Sequence, residues 1–377
     1  MRTFGFLFLG LLLLSCANEP SFDNALDAAL ASSDERIKKV LNSVESHQVQ
    51  IIYTQIDRKN GEINFSDFDY QTDINNYFYP ASTVKFPAAV AALEKLNGLD
   101  TLNRDSRFFI EGDSVETSFG RAIEEIFAIS GNEANNRLIE FLGFDDLNER
   151  IRRTGVKPIR ISHRLSTSNA DDVTTKPLVI HTNDSSTIIS TPIVSSPPSP
   201  LSLENVKKGK GFYAGDSLYQ EPFDFALKNY YPISSQHALL KRIIFPEEFA
   251  VEERFDLSSE QYEFLRNTMA AFPYQTGYDR EEYYDSYVKF FMFGDSEEPI
   301  PEHIKIYNKV GYAYGTLTDC AYIKDHKNNV EFILIATILV NEDGIFNDNN
   351  YEYDDIGIPF LAQLGREIYD FELKRKH

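Results

Sequence analysis

The segment Tyr79-Pro80-Ala81-Ser82-Thr83-Val84-Lys85-Phe86-Pro87 sets a serine and a lysine three residues apart. Pro80 and Ser82 both favour a helix start, and residues three apart on a helix share a face. The Lys85 amine then lies within reach of the Ser82 hydroxyl. A serine needs a base to attack a carbonyl at neutral pH. A lysine serves as that base only when burial or nearby positive charge keeps it unprotonated, and Val84, Phe86, Ala88 and Ala89 supply an apolar setting. The chemistry implied is acyl transfer to Ser82. A second S-x-x-K, Ser286-Tyr287-Val288-Lys289, lies among tyrosines and acids and is read as a surface helix or loop.

Two companions follow along the chain. Ser130-Gly131-Asn132 is its one S-x-N and falls at a break between helical segments. Lys309-Val310-Gly311 opens a strand-like stretch in which Lys309 lies on the face opposite Ile304 and Ile306 by period-two alternation. Another K-x-G, Lys207-Lys208-Gly209, sits in a basic, glycine-rich stretch.

The order S-x-x-K, S-x-N, K-x-G resembles the class A β-lactamase-like and penicillin-binding serine hydrolases. Ser130–Leu138 looks like the family's S-D-N helix start, and Tyr314–Asp319 like the turn after its K-T-G strand. The likeness spans roughly residues 22–165 and 233–372. It implies that Ser82 is acylated and that Lys85 takes part in activating it. By the same likeness Ser130 relays a proton to the leaving nitrogen, and Asn132 holds the substrate's amide. Lys309, in the strand with Gly311, pairs with a carboxylate, while the N–H groups of Ser82 and of the strand near Tyr312 form an oxyanion hole. The implied partner is a small β-lactam or a peptidoglycan-like peptide, with no cofactor and no metal.

Three departures qualify this. Gly131 replaces the middle acid of S-D-N, and Val310 replaces a threonine whose hydroxyl could bind a carboxylate. In Arg160–Ser166, Ser166 stands where the family's deacylating glutamate would fall. Without that base the acyl-enzyme hydrolyses slowly, as in a penicillin-binding D-Ala-D-Ala carboxypeptidase or esterase. His163 and Glu221 are candidates for a replacement base, although each reads first as structural. A non-catalytic binding lipoprotein of the same fold is the rival outside enzymes, and the joint presence of Ser82, Lys85, Ser130, Asn132 and Lys309 argues against it.

The elements that must position these residues follow from periodicity. Helical spacing runs from Phe22 to Val44. Strands Val49–Ile56 and Glu62–Phe65 follow, joined by the Asn60-Gly61 turn. Helical patterns dominate from Thr83 to Gly155 and return at Ser235–Ile244 and Ser258–Ala271. Strands come at Ile304–Val310, Cys320–Lys324 and Phe332–Val340, before an amphipathic helix through Phe360, Leu364, Ile368 and Phe371. This order predicts an α/β (α+β) fold with one antiparallel sheet built from both termini, about 22–70 and 300–377, flanked by helices. A helical half, about 80–290, is inserted. Residues 166–232, rich in Ser, Thr, Asn and Pro, read as a long, partly mobile surface insertion.

The chain has 377 residues, 42% hydrophobic, with 29 Phe and 21 Tyr, enough for a substantial core. Lys and Arg number 37 against 58 Asp and Glu, a net charge of −21 that argues against nucleic acid as partner. At the N-terminus Arg2 precedes an apolar run, Phe4–Leu14, that suits a signal peptide and is shorter than the about 20 residues needed to span a bilayer. The run ends at Leu13-Leu14-Ser15-Cys16, which resembles a lipobox. Residues 1–15 would be removed and Cys16 lipidated, tethering an exported, monomeric domain (16–377) to a membrane, facing the periplasm or the exterior. Cys320 would then be the sole free thiol. None of the seven His lies in a metal spacing. The acidic run Asn347–Asp355 lacks EF-hand spacing, and Gly209–Ala214 follows no strand as a dinucleotide fingerprint would require.

Overall fold

The computed structural model describes residues 22–183 and 185–377, so the signal segment and Cys16 lie outside the described residues. Two short helices come first, α1 (Ala25–Leu30) and α2 (Glu35–Leu41), capped by the side chains of Asn24 and Asp34. Strands β1 (Gln50–Lys59) and β2 (Glu62–Tyr70) form a hairpin. Its turn places Asn60 at φ 55° and Gly61 at φ 88°, the left-handed pair that a two-residue hairpin needs. Near the other end of the chain, β3 (Ile304–Ala313), β4 (Thr316–Asp325) and β5 (Val330–Leu339) run as a meander. The last element is helix α9 (Ile358–Lys376).

All five strands join one antiparallel sheet in the order β3-β4-β5-β1-β2. N- and C-terminal segments meet where β1 pairs with β5, Ile52 opposite Ile335. Strand alternation sends Ile51, Tyr53, Ile304, Ile306 and Val310 to one face. There they pack with Leu26, Val40, Phe360 and Leu364 from α1, α2 and α9. Ile52, Ile56, Ile333 and Ile335 point the other way, toward α7 (Ile233–Ile244) and the helical lobe. β3 is an edge strand of the sheet, and its outer side carries the site described below.

That lobe is organised around helix α3 (Lys85–Asn97), buried from Lys85 through Glu94 and therefore hydrophobic nearly all round. Helices α4 (Phe119–Ala128), α5 (Asn132–Leu142), α6 (Phe144–Arg153) and α8 (Ser259–Ala270) complete it. α8 begins with a reciprocal Ser258–Gln261 capping box.

Residues 166–232 differ from the loose insertion expected from their composition. Leu178–Asn183 pairs with Arg107–Ile110 and with Ser186–Ile189. Gly211–Ala214 pairs with Ser217–Tyr219 and with Ile345–Phe346 near the C-terminus. Buried Phe225 and Tyr230 pack with Tyr77, Tyr79 and Phe346 in a separate aromatic cluster. Side-chain burial, invisible in a Ser/Thr/Pro count, holds the segment to the body.

Candidate active site

Ser82 lies in a single 3-10 turn, Ala81–Val84, that runs directly into α3. Ala81 before it is held at φ 46°, a conformation costly for a residue with a Cβ and typical of strained functional turns. The turn sits against edge strand β3 at Gly311. A Cβ there would lie 2.8 Å from the Pro80 carbonyl oxygen and from the Ser82 and Thr83 nitrogens. Glycine is the residue that lets the strand approach so closely.

Lys85 is wholly buried one turn along from Ser82. Its Nζ contacts the Ser130 carbonyl and lies 2.7 Å from Asn132 Oδ1 and 3.2 Å from Ser130 Oγ. Burial holds the amine well below the usual lysine range, the charge of Lys309 adds to this, and Glu125 opposes it. A neutral amine has two hydrogens, and the two carbonyl oxygens accept both. Its lone pair is then free toward a hydroxyl.

Ser130 stands in the break between α4 and α5 at φ 57°, and this left-handed kink turns both its carbonyl and its hydroxyl toward the two lysines. Lys309 Nζ donates to Ser130 Oγ at 2.8 Å and to the Val310 carbonyl at 2.8 Å. Burial lowers its pKa to about 7, with Asp319 pulling it up and Lys289 pushing it down. One hydroxyl is therefore bracketed by two buried amines. Tyr312 is 54% exposed at the cleft mouth.

The structure thus brings together Lys85, Ser130, Asn132 and Lys309 through direct contacts. Ser82 and Tyr312 line the same two cavities as Asn132, and Gly311 packs against the Ser82 turn.

Sequence spacing missed several participants. A Cβ at Gly131 would collide with the Glu125 carboxylate, so the last turn of α4 sets an acid directly against this position. No local motif marks Glu125, because its placement depends on how α4 meets α5. The second S-x-x-K is another correction: Ser286 and Lys289 are buried rather than on the surface. Lys289 Nζ donates to the Met269 carbonyl at 2.9 Å and to Asn308 Oδ1 at 2.8 Å, and Asn308 Nδ2 donates to Asp319 Oδ1 at 2.9 Å. This polar chain crosses beneath β3 one residue from Lys309. Burial raises the Asp319 carboxyl to about 6, its hydrogen-bond donors and Lys289 opposing.

Neither alternative base gains support. Glu221 is exposed and lines neither cavity beside Ser82. His163 lines one of them, but its Nδ1 donates to the Arg164 carbonyl at 2.6 Å, and its ring stacks on Tyr79. Its Nε2 is shut off from solvent without a partner, and burial lowers the imidazole to about 4. Ser166 lines the same cavity at φ 48° and brings no carboxylate. The segment carrying both is anchored by Arg164, whose guanidinium makes a buried two-point contact with Glu140 at 2.7 and 2.9 Å. Among the described residues no cluster of His, Cys, Asp and Glu could hold a metal ion.

Residues 32–191 match the family described as the beta-lactamase enzyme family. No curated protein sequence matches the chain. Among solved structures it is similar to a beta-lactamase from Sphaerobacter thermophilus, with 12% identity and a TM-score of 0.52 over 92% of this chain and 96% of that one. It is similar to a class A beta-lactamase from Mycobacterium abscessus, at 14% identity and a TM-score of 0.53 over 92% and 98%. It is also similar to PBP-A, at 14% identity and a TM-score of 0.51 over 86% and 91%. At these identities the likeness is one of fold.

Proposed function

We propose that this chain, which carries the fold of the class A β-lactamases, is an active-site serine hydrolase that is acylated on Ser82. The observation that carries the reading is the shared hydroxyl of Ser130, held between Lys85 and Lys309. In the acylation step the Lys85 lone pair takes the Ser82 proton as Oγ bonds to the acyl carbon. The acyl–nitrogen bond then breaks, and the proton reaches the leaving nitrogen through Ser130, which Lys309 polarises. The N–H groups of Ser82 and of β3 near Tyr312 receive the negative charge on the carbonyl oxygen. Asn132 orients the substrate's amide. The substrates that the likeness suggests are β-lactams and related amides.

A second reading, a penicillin-binding carboxypeptidase or esterase whose acyl-enzyme persists, is favoured by Ser166 and the sealed Nε2 of His163. Among the described residues, the cavity that Ser166 lines holds no Asp or Glu. The test incubates the soluble domain with a fluorescent penicillin and with a fluorescent fluorophosphonate, beside Ser82→Ala. Ser82-dependent label is expected from both. A penicilloyl adduct that clears within seconds would support β-lactam hydrolysis, one that persists for hours the second reading, and no Ser82-dependent label from either would overturn both. The lipobox supports a membrane tether through Cys16, and Cys16→Ala should release the protein from membranes. Continued retention would count against the tether.

A further inference from the structure

We infer that the substrate fragment on the leaving-atom side of Ser82 is cationic, an ammonium-bearing group held by tyrosine faces and Asp354. The inference rests on acylation at Ser82 as proposed above. A cavity of about 570 Å³ opens from Ser82 on the side of Ser130, within the size range of small-molecule sites. Ser130 is the group that hands a proton to the leaving atom, so the fragment bonded to that atom occupies this cavity.

Tyr284, Tyr287, Tyr312, Tyr353, Ser286 and Asp354 line it. Tyr312 and Tyr353 meet at 5.4 Å and 74°, and Tyr284 and Tyr287 at 5.9 Å and 82°. Near-perpendicular pairs present ring faces as well as edges to the space between them, and the faces carry the negative lobe that attracts cations. Burial, with Glu297 and Asp354 nearby, keeps the Tyr284 phenol neutral, so the ring stays an uncharged face.

The same wall is unsuited to a carboxylate. No Lys or Arg lines the cavity among the described residues. Val310 offers a methyl where a hydroxyl could donate, and Lys309 directs its amine to Ser130 and the Val310 carbonyl. Asp354, exposed at the rim, would repel a carboxylate and attract an ammonium. The other cavity beside Ser82 has Lys228 and Arg164 in its lining, paired with Asp171 at 3.4 Å and Glu140 at 2.7 Å, so basic side chains line that arm and not this one. β-Lactams with a carboxylate beside the leaving nitrogen would acylate Ser82, but slowly.

The test compares phenylacetyl esters of choline, of its neutral isostere 3,3-dimethylbutanol and of 3-hydroxypropanoate. In each, Ser82 Oγ bonds to the acyl carbon as the acyl–oxygen bond breaks, and the alcohol leaves with the proton. The first-turnover burst of alcohol from the native domain, corrected for each ester's hydroxide-catalysed rate, should be about 10-fold faster for the choline ester than for the neutral one, between the exposed and the desolvated values of a cation–π contact. Release should be slowest for the anionic ester. Asp354→Asn should reduce the choline-to-anion ratio at least threefold. Tyr287→Leu should reduce the choline-to-neutral ratio. Equal burst rates for the three esters, or a preference for the anion, would overturn the inference and leave acylation standing. A fluorophosphonate that labels Ser82 while none of the esters reacts would also overturn it alone. Failure of the phosphonate and of every ester would take down both.

Discussion

Replacing Gly311 by alanine perturbs the site at the contact on which its geometry depends. The added Cβ would stand 2.8 Å from the Pro80 carbonyl oxygen and the Ser82 and Thr83 nitrogens, where ordinary contact begins at 3.4 Å. All three atoms are backbone, so none can rotate away, and β3 must move off the Ser82 turn by about 0.6 Å, the difference between those two distances. The two N–H groups proposed to bind the developing oxyanion stand one on each side of that gap. Widening it takes one of them out of range, a loss of about 3 kcal/mol in transition-state binding. Acylation should slow about 100-fold on that figure. Overpacking should cost about 1–3 kcal/mol of stability as well. The assay is the saturation kinetics of Ser82 labelling by the fluorophosphonate, with a thermal melt confirming that the variant is folded. A folded Gly311→Ala protein acylating within threefold of the native rate would refute the argument that this close approach builds the oxyanion site.

Three further outcomes follow from the same geometry. Lys85→Ala should slow acylation by about 100-fold or more, the range for a lost general base, in stopped-flow measurements of the first turnover. The acylation rate should rise with pH through the depressed pKa of Lys85, because only the neutral amine accepts the proton. Since Glu125 raises that pKa, Glu125→Gln should move the rising limb to lower pH, and a limb that stays put or moves up would contradict the assignment. Glu140→Gln leaves the Arg164 guanidinium buried without its carboxylate, and should cost about 3–5 kcal/mol in urea unfolding. A loss under about 1 kcal/mol, the value of an exposed pair, would show that the segment carrying His163 and Ser166 is held by something else.

What the sequence determined by itself was whatever repeats locally. The hairpin turn at Asn60-Gly61 was legible because two adjacent left-handed residues can hardly do anything else. Strands β3–β5 were legible as strand-like stretches, the last two joined by a polar turn, and Lys309 opposite Ile304 and Ile306 from a period of two. The grouping of Ser82 with Lys85 came from one turn of helix. The joining of Ser130, Asn132 and Lys309 to them rested on motif order, since nothing local draws residues so far apart to one hydroxyl. Tertiary packing decided the rest. Glu125 stands against Gly131 because two helices meet at an angle that no spacing encodes. Lys289 is buried rather than exposed because Asn308, Asp319 and the Met269 carbonyl satisfy its charge and donors from three other elements. Tyr284, Tyr312 and Tyr353 form one wall from three separate stretches of chain. Local propensity depends on neighbours in sequence, whereas charge state, cavity and close approach depend on neighbours in space.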